Sequence, residues 1–409
     1  MRKGWKKVDL GTLIETQKGF AFKSSWYANF GVPIVRVSDF TDNSISTHEI
    51  NYISDDLAQE HIKHELQFRD ILIQTVGSWQ SNPASIVGKV VTVPVELNGA
   101  LLNQNAVKII PKLEIDKRFL YYILKEENFK LHNLNHAQGA ANQASITLES
   151  IRKFKFNLPP LPTQRKIASI LSSYDDLIEN NLKRIKLLEE KAQRTYEEWF
   201  VKMRFPGYEA AVFDEVTGLP EGWKKMKLEE IAEMKFGYAF KANLFNSEGN
   251  GMPIIRIRNI PNSNTNDYTT QKVDSKYIVR KGDLLIGMDG EFYVNTWSGP
   301  DAYLVQRVCN LVCKNDLYKG YLTEAIRHPI IIFQASIDGA TVAHLGKKHL
   351  DQIEIIIPNF NIEIFNSILF EKINLSNQNR LLKEARDILL PRLMSGIIDV
   401  EDMEITVMD

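Results

Sequence analysis

The chain is written twice, and that constrains its fold more than any other feature. Gly4-Trp5-Lys6-Lys7 returns as Gly222-Trp223-Lys224-Lys225, and Gly19-Phe20-Ala21-Phe22-Lys23 returns at the same offset as Gly237-Tyr238-Ala239-Phe240-Lys241. Pro33-Ile34-Val35-Arg36-Val37 answers Pro253-Ile254-Ile255-Arg256-Ile257, and Asp70-Ile71-Leu72-Ile73 answers Asp283-Leu284-Leu285-Ile286. Gln104 sits where Gln306 sits, and Ile151 through Pro159 matches Leu350 through Pro358. An internal repeat of this kind means two copies of one structural unit. Each copy reads as a globular domain, a strand ended by proline, and a long helix.

The first long helix is the clearest element. Between Gln164 and Val201, small or apolar residues fall at Ile167, Leu171, Tyr174, Ile178, Ile185, Leu188, Ala192, Thr195 and Trp199, a heptad seam interrupted by Asn181. The prolines of Pro159-Pro160-Leu161-Pro162 are expected to forbid helix, with Thr163 as the cap, and Pro206-Gly207 to stop it. At 1.5 Å rise per residue the helix runs roughly 55 Å. Such a length needs a partner to cover its seam. Ile362 to Gly396 supplies one, with Ile368, Leu375, Leu382, Ala385 and Leu389 at helical intervals. Antiparallel pairing of the two is expected.

The expected fold class is therefore α+β: two globular mixed α/β domains separated by a pair of long antiparallel coiled-coil helices. The expected boundaries are 1–158 for the first domain, 159–202 for its helix, 203–221 for a connector, 222–358 for the second domain, 359–396 for the distal helix, and 397–409 for a frayed acidic tail. Within the first domain, Ile34 to Val37, Ile86 to Val93 and Ala106 to Ile110 read as strands, and Lys117 to Leu131 as a helix. In the connector, Pro206, Gly207, Gly218 and Pro220 suit an ordered turn region.

A formal net charge of -1 over 409 residues neither implies nor excludes nucleic acid, since acidic surface can balance a basic face. Cys309 and Cys313, the only two cysteines, read as small buried hydrophobes. The amino terminus lacks the apolar core of a signal peptide, and no stretch approaches a membrane span, so a cytoplasmic protein with no membrane partner is expected.

Enzymatic signatures fail one by one. An adenine methyltransferase needs a Gly-rich cofactor turn and an Asn/Asp-Pro-Pro-aromatic loop; Ser81-Asn82-Pro83-Ala84 and Asn157-Leu158-Pro159-Pro160 both lack that order. Gly339 to Lys348 has glycines too widely spaced for a phosphate loop, and no Ser or Thr follows Lys347. His61 with His64, and His132 with His136, have helical spacing but no third ligand, and read as surface pairs. Asp283, Asp289 and Glu291 suggest a metal nuclease only superficially. Asp283 has its counterpart at Asp70, which favours a structural turn role.

The same residues carry a resemblance. Leu158-Pro159-Pro160-Leu161-Pro162-Thr163-Gln164-Arg165-Lys166-Ile167, with Trp199-Phe200 closing the helix, resembles the central conserved region of type I restriction-modification specificity subunits. Arg386-Asp387-Ile388-Leu389-Leu390-Pro391-Arg392-Leu393-Met394-Ser395-Gly396 is similar to the distal conserved region of that family, and the Gly-Phe/Tyr-Ala-Phe-Lys blocks to the starts of its target-recognition domains. The distal copy departs at Asn359-Phe360-Asn361, where a second Pro-Leu-Pro is missing, and its helix has a more polar seam. The resemblance implies a non-catalytic subunit that reads double-stranded DNA. Its implied partners are two adenine methyltransferase subunits and motor-nuclease subunits. It implies no cofactor in this chain, with S-adenosylmethionine, ATP and magnesium in the partners.

Two unlike copies on one strut would read a bipartite, asymmetric target with a fixed spacer, because B-DNA presents one face about every 34–36 Å. Amide side chains suit adenine edges, Arg and Lys suit guanine, and Glu suits cytosine. Gln80, Asn82, Gln138, Asn142 and Gln143 are the first-copy candidates for base contact; Glu291, Arg307, His344 and Lys347 are those of the second. Lys18, Lys23, Arg36, Lys235, Lys241, Arg256, Arg258 and Lys348 are the nominees for phosphate. Phe20, Phe22, Tyr238 and Phe240 alternate and read as half-buried strand or turn core rather than a stacking platform. Mixed charges from Lys183 to Glu198 suit a solvated helix face or a docking rim. The alternatives are a self-contained DNA nuclease or methyltransferase, supported by activity of the isolated chain, and a coiled-coil scaffold, which would show no salt-sensitive affinity for DNA.

Overall fold

Runs of β-branched residues build one sheet plan twice. The computed structural model describes residues 4–79, 86–139, 143–337 and 343–404. It divides into two units, Met1–Asp176 with Lys383–Asp409, and Leu177–Leu382.

In the first unit, strands Ile14–Lys18, Ala106–Pro111, Ile71–Gln74 and Val90–Thr92 form an antiparallel four-stranded sheet in that order. Ile71, Ile73, Val107 and Ile109 point from it into a core shared with Phe119, Leu120, Ile123 and Phe129. A second sheet sets Val32–Val35 between Asn51–Ile53 and Leu101–Leu102, antiparallel to the first and parallel to the second. Lys6–Asp9 pairs antiparallel with Lys155–Leu158, which ties the start of the domain to its proline-ended strand.

The second unit repeats this arrangement. Ala232–Phe236, Val308–Cys313, Leu284–Gly287 and Val294–Thr296 form the antiparallel four-stranded sheet. Met252–Ile255 runs parallel to Ala302–Leu304, and Lys224–Lys227 pairs with Glu354–Ile357. The repeated Gly-aromatic block has a packing cause: a Cβ at Gly19 would lie 1.8 Å from the Asn103 carbonyl oxygen, and one at Gly237 would lie 2.1 Å from that of Val305. Only glycine lets the two backbones cross so closely.

Asp70 and Asp283 hold equivalent turns. Each carboxylate accepts an N–H three residues before it, from Gln67 and from Arg280, both at 2.9 Å. Asp70 also binds Lys108 at 2.6 Å and Lys117 at 2.9 Å, while Asp283 accepts from Asn310 at 2.9 Å. Their shared role is structural.

The first long helix spans Leu161–Tyr196 and ends in a wider turn, Glu197–Val201, where Lys202 N–H reaches Glu197 O at 2.8 Å. It begins earlier than the prolines suggested. Gln164 N–H donates to Pro160 O, so Pro160 opens the helix and Pro162 lies in the first turn, where an N–H has no helical partner anyway. Thr163 is thus inside the helix, not its cap. The second long helix spans Glu363–Met394 and contains Pro391.

Within each unit the segments of these helices run antiparallel. In the first, Arg386 Nη1 meets Asp175 Oδ1, which also accepts through Oδ2 from Tyr122 Oη, and Ile167 and Leu171 share a core with Leu393. In the second, Asn181 pairs with Asn379, Arg184 with Glu371 at 2.6 Å, and Lys372 with Glu189 at 2.8 Å. Tyr196, Trp199 and Phe200 then pack on Tyr321, Phe360 and Phe365.

Three further expectations are corrected. The helix after Lys117 breaks at Glu126, whose backbone is extended, giving Lys117–Lys125 and Glu127–His136. The acidic tail is docked through its first residues: Val400 is 1% exposed in the first core, and Lys166 Nζ donates to Glu401 O at 2.6 Å. His64 is buried rather than on the surface, its Nδ1 3.0 Å from Lys18 O, while the His61 ring stacks on Phe20 with centroids 4.1 Å apart.

Candidate nucleic-acid interface

Each unit builds the same crossing at one end of its four-stranded sheet. In the second, the chain leaves strand Leu284–Gly287, and Met288 N–H donates to Arg307 O at 2.9 Å. Leu345 N–H then donates to Met288 O at 2.8 Å, and Gly290 N–H to Ala343 O at 3.0 Å. This sets Asp289 opposite His344. In the first unit, Thr75 N–H donates to Asn105 O at 2.7 Å and Ile146 N–H to Thr75 O at 2.9 Å, with Val76 opposite Ser145. Main-chain bonds therefore fix three strands of chain in one arrangement, and the side chains displayed there differ.

In the second unit those side chains interlock. Arg307 Nε lies 3.2 Å from Asp289 Oδ2, its Nη1 lies 3.3 Å from Asp289 Oδ1, and His344 Nδ1 lies 2.5 Å from the same oxygen. His344 Nδ1 also lies 3.3 Å from Arg307 Nη1, so the three side chains form one contact network. Arg307 and His344 are exposed, and Asp289 is about half as accessible. A fork of donors, an imidazole and a carboxylate on a fixed frame are polar groups of the kind that read base edges.

The other nominees separate into groups. Glu291 is exposed in the same loop. Lys347 reaches Asp351 at 2.7 Å one helical turn on, and Lys348 is exposed beside it. Gln138 and Gln143 are exposed at the matching place in the first unit, where Gln138 bridges Ser145. Gln80, Asn82 and Asn142 lie outside the described residues.

Lys18 and Lys23 are exposed, the latter with Nζ 5.3 Å from the Trp26 ring centroid. Lys241 is exposed at the equivalent turn of the second unit, and Lys235 faces Glu233 at 3.4 Å. Three arginines are engaged within the fold. Arg36 pairs with Asp39 at 2.9 Å, Arg256 lies 4.7 Å from the Phe245 ring centroid, and Arg258 pairs with Asp267. A phosphate contact by these would compete with an existing partner.

Sequence reasoning did not name Asn105, and it set Asp289 only in a superficial metal-nuclease grouping with Asp283 and Glu291. The signal was present: Gln104-Asn105 aligns with Gln306-Arg307 once the repeat is written out. Among the described residues no cluster of three or more His, Cys, Asp or Glu is arranged to hold a metal. Cys309 is buried in its strand, and burial pushes its thiol up to about 12, so it is not a nucleophile at neutral pH.

A sequence profile of the type I restriction modification DNA specificity domain matches residues 2–190 and again 220–380. The chain belongs to that family. Within the family, the specificity subunit of the Escherichia coli type I restriction enzyme EcoBI is 28% identical over 46% of this chain and 42% of its own length. The MjaIX specificity subunit of Methanocaldococcus jannaschii is 26% identical over 76% of each chain, and the HindI subunit of Haemophilus influenzae 22% identical over 96% of this chain and 99% of its own. The chain thus spans under half of one such relative and nearly all of another. In fold it is similar to a crystal structure of a type I restriction-modification S subunit from M. genitalium, with a TM-score of 0.54 at 17% identity, over 95% of this chain and 96% of that one. No described helix is long and apolar enough to cross a membrane.

Proposed function

We propose that this chain is the DNA-reading subunit of a type I restriction-modification enzyme and recognises a bipartite, asymmetric target with a fixed spacer. The observation that carries the reading is the crossing built twice on one main-chain frame, with Arg307, Asp289 and His344 displayed in one copy and Asn105, Val76 and Ser145 in the other. One frame gives both copies the same approach to a groove; different side chains give them different bases.

The long helices set the spacing in this account. The 36 residues of the first correspond to about 54 Å at 1.5 Å per residue, enough to span one to two turns of B-DNA. Their exposed faces receive two copies of an adenine methyltransferase subunit, related by the internal repeat. Chemistry belongs to partners: methyl transfer with S-adenosylmethionine, and motor and nuclease work with ATP and magnesium. This chain works in the cytoplasm and contributes recognition alone.

The test is selection. The full chain, co-purified with its methyltransferase subunit, is offered random duplexes and the retained DNA is sequenced. Two conserved blocks separated by a constant unconserved gap are expected, with retention falling steeply as salt rises. Retention independent of sequence and salt would contradict the proposal.

A further inference from the structure

Asn105 and Arg307 occupy one address in the repeated frame, and we propose that this pair is a base-reading position, one in each half-site. The proposal rests on the DNA-recognition reading above and deepens it.

Both residues have left-handed backbone, with φ of 69° and 72°. Few non-glycine residues adopt it; asparagine does so with relative ease, arginine does not. The conformation recurs because the surroundings impose it. The preceding Gln104 and Gln306 donate their N–H groups to Phe20 O and Tyr238 O, at 2.9 and 2.8 Å. The carbonyls of Asn105 and Arg307 accept from Thr75 and Met288, at 2.7 and 2.9 Å. Just before each turn the chain crosses Gly19 or Gly237 with no room for a side chain. Just after it the chain enters the sheet, at buried Ala106 in one copy and beside buried Val308 in the other. A tightly held backbone thus presents an exposed side chain at a point where the sheet ends.

Such a frame limits the entropy lost on binding and fixes the direction of a hydrogen-bonding group. What it displays differs in chemistry. The amide of Asn105 matches the donor and acceptor pair of adenine N6 and N7, and the guanidinium of Arg307 matches the two acceptors of guanine O6 and N7. Asp289 grips Arg307 through Nε and Nη1, with Nη1 also 3.3 Å from His344 Nδ1, and so orients the fork with Nη2 turned to a base edge. At the first address the place of Asp289 is taken by Val76, consistent with a neutral amide that needs no counter-charge.

The test uses the full chain with its methyltransferase subunit and the target selected by the wild-type complex. Each base pair of that target is replaced in turn, and the affinity penalty is measured for the wild type, Asn105→Ala and Arg307→Ala. Roughly 5- to 150-fold discrimination is expected at each position read by a bidentate pair. Asn105→Ala should abolish it at one base pair of one half-site, Arg307→Ala at one base pair of the other, with all other penalties unchanged. Penalty profiles identical to the wild type in both variants overturn the proposal, as does relaxation of both half-sites by either one. Where an alanine variant binds too weakly to profile, Asn105→Gln and Arg307→Lys take its place. They should weaken discrimination at the same single position, and an unaltered profile overturns the proposal. A wild-type complex that selects no two-part target would instead remove the underlying DNA-recognition reading.

Discussion

Asn181 Nδ2 donates to Asn379 Oδ1 at 3.0 Å in the seam between the long helices, and the two residues are only 5% and 6% exposed. Asn379 in turn donates to Ile178 O at 3.4 Å. A buried amide pair flanked by Ile178 and Leu375 satisfies itself only in one register, as single polar residues do in other coiled coils. Here that register aligns the two helix segments of the second unit.

Replacing one partner should cost more than replacing both. Asn181→Leu leaves the Asn379 amide buried without its partner and should destabilise by about 1–3 kcal/mol. The double variant Asn181→Leu with Asn379→Leu should recover much of that loss while relaxing the register. Urea unfolding of the three proteins checks the ordering, which an additive double variant would contradict.

Asp70 should govern stability on the acid side. Burial alone would raise its carboxyl, but Lys108, Lys117 and the Gln67 N–H bind the charged form and hold it below the ordinary range. Because the folded value is the lower one, the contribution is complete above the unfolded value near 4 and is lost as pH falls through the folded value. Asp70→Asn should unfold at lower urea at pH 7, with the deficit shrinking below pH 4. An unchanged deficit at acid pH would refute the charge argument.

Glu126 should act in the opposite sense. Burial pushes its carboxyl up to about 7, so its protonated form favours the fold. That contribution is present below the unfolded value and disappears as pH rises toward 7. Glu126→Gln should therefore be nearly neutral at pH 4 and stabilising at pH 8, by on the order of 1–2 kcal/mol after allowance for its partial exposure. Urea midpoints across that range, wild type against variant, provide the check.

Lys241 and Lys348 are exposed cations nominated for phosphate contact. Lys241→Ala and Lys348→Ala should each weaken binding of the complex to all duplexes about equally and reduce the slope of log affinity against log salt by about 1. A change in base preference without a change in slope would reassign them to base contact.

What could be read in the sequence followed the physics that operates locally. The heptad seam, the proline-ended strands and the doubled Gly-aromatic block are each a short pattern with one structural outcome, and each was legible. The start of the first helix was misread because Pro160 and Pro162 were weighed as breakers, when the first turn has no use for their missing N–H. Val400 was assigned to a frayed tail because its acidic neighbours hide one apolar residue that finds the first core. The candidate site was half legible. Arg307 and His344 were chosen for their chemistry, but Asp289 joins them only through a crossing whose parts lie 18 and 55 residues apart in the chain. Asn105 needed the two copies laid over each other in space.

The most direct test of the central claim is a sequence-resolved methylation map after the full chain and its methyltransferase subunit are expressed together in a host without adenine methylation. Methylated adenines are expected within one two-part motif whose halves differ and whose spacer is constant. Active methylation with no such motif, or with one uninterrupted block of conserved bases, would contradict the claim.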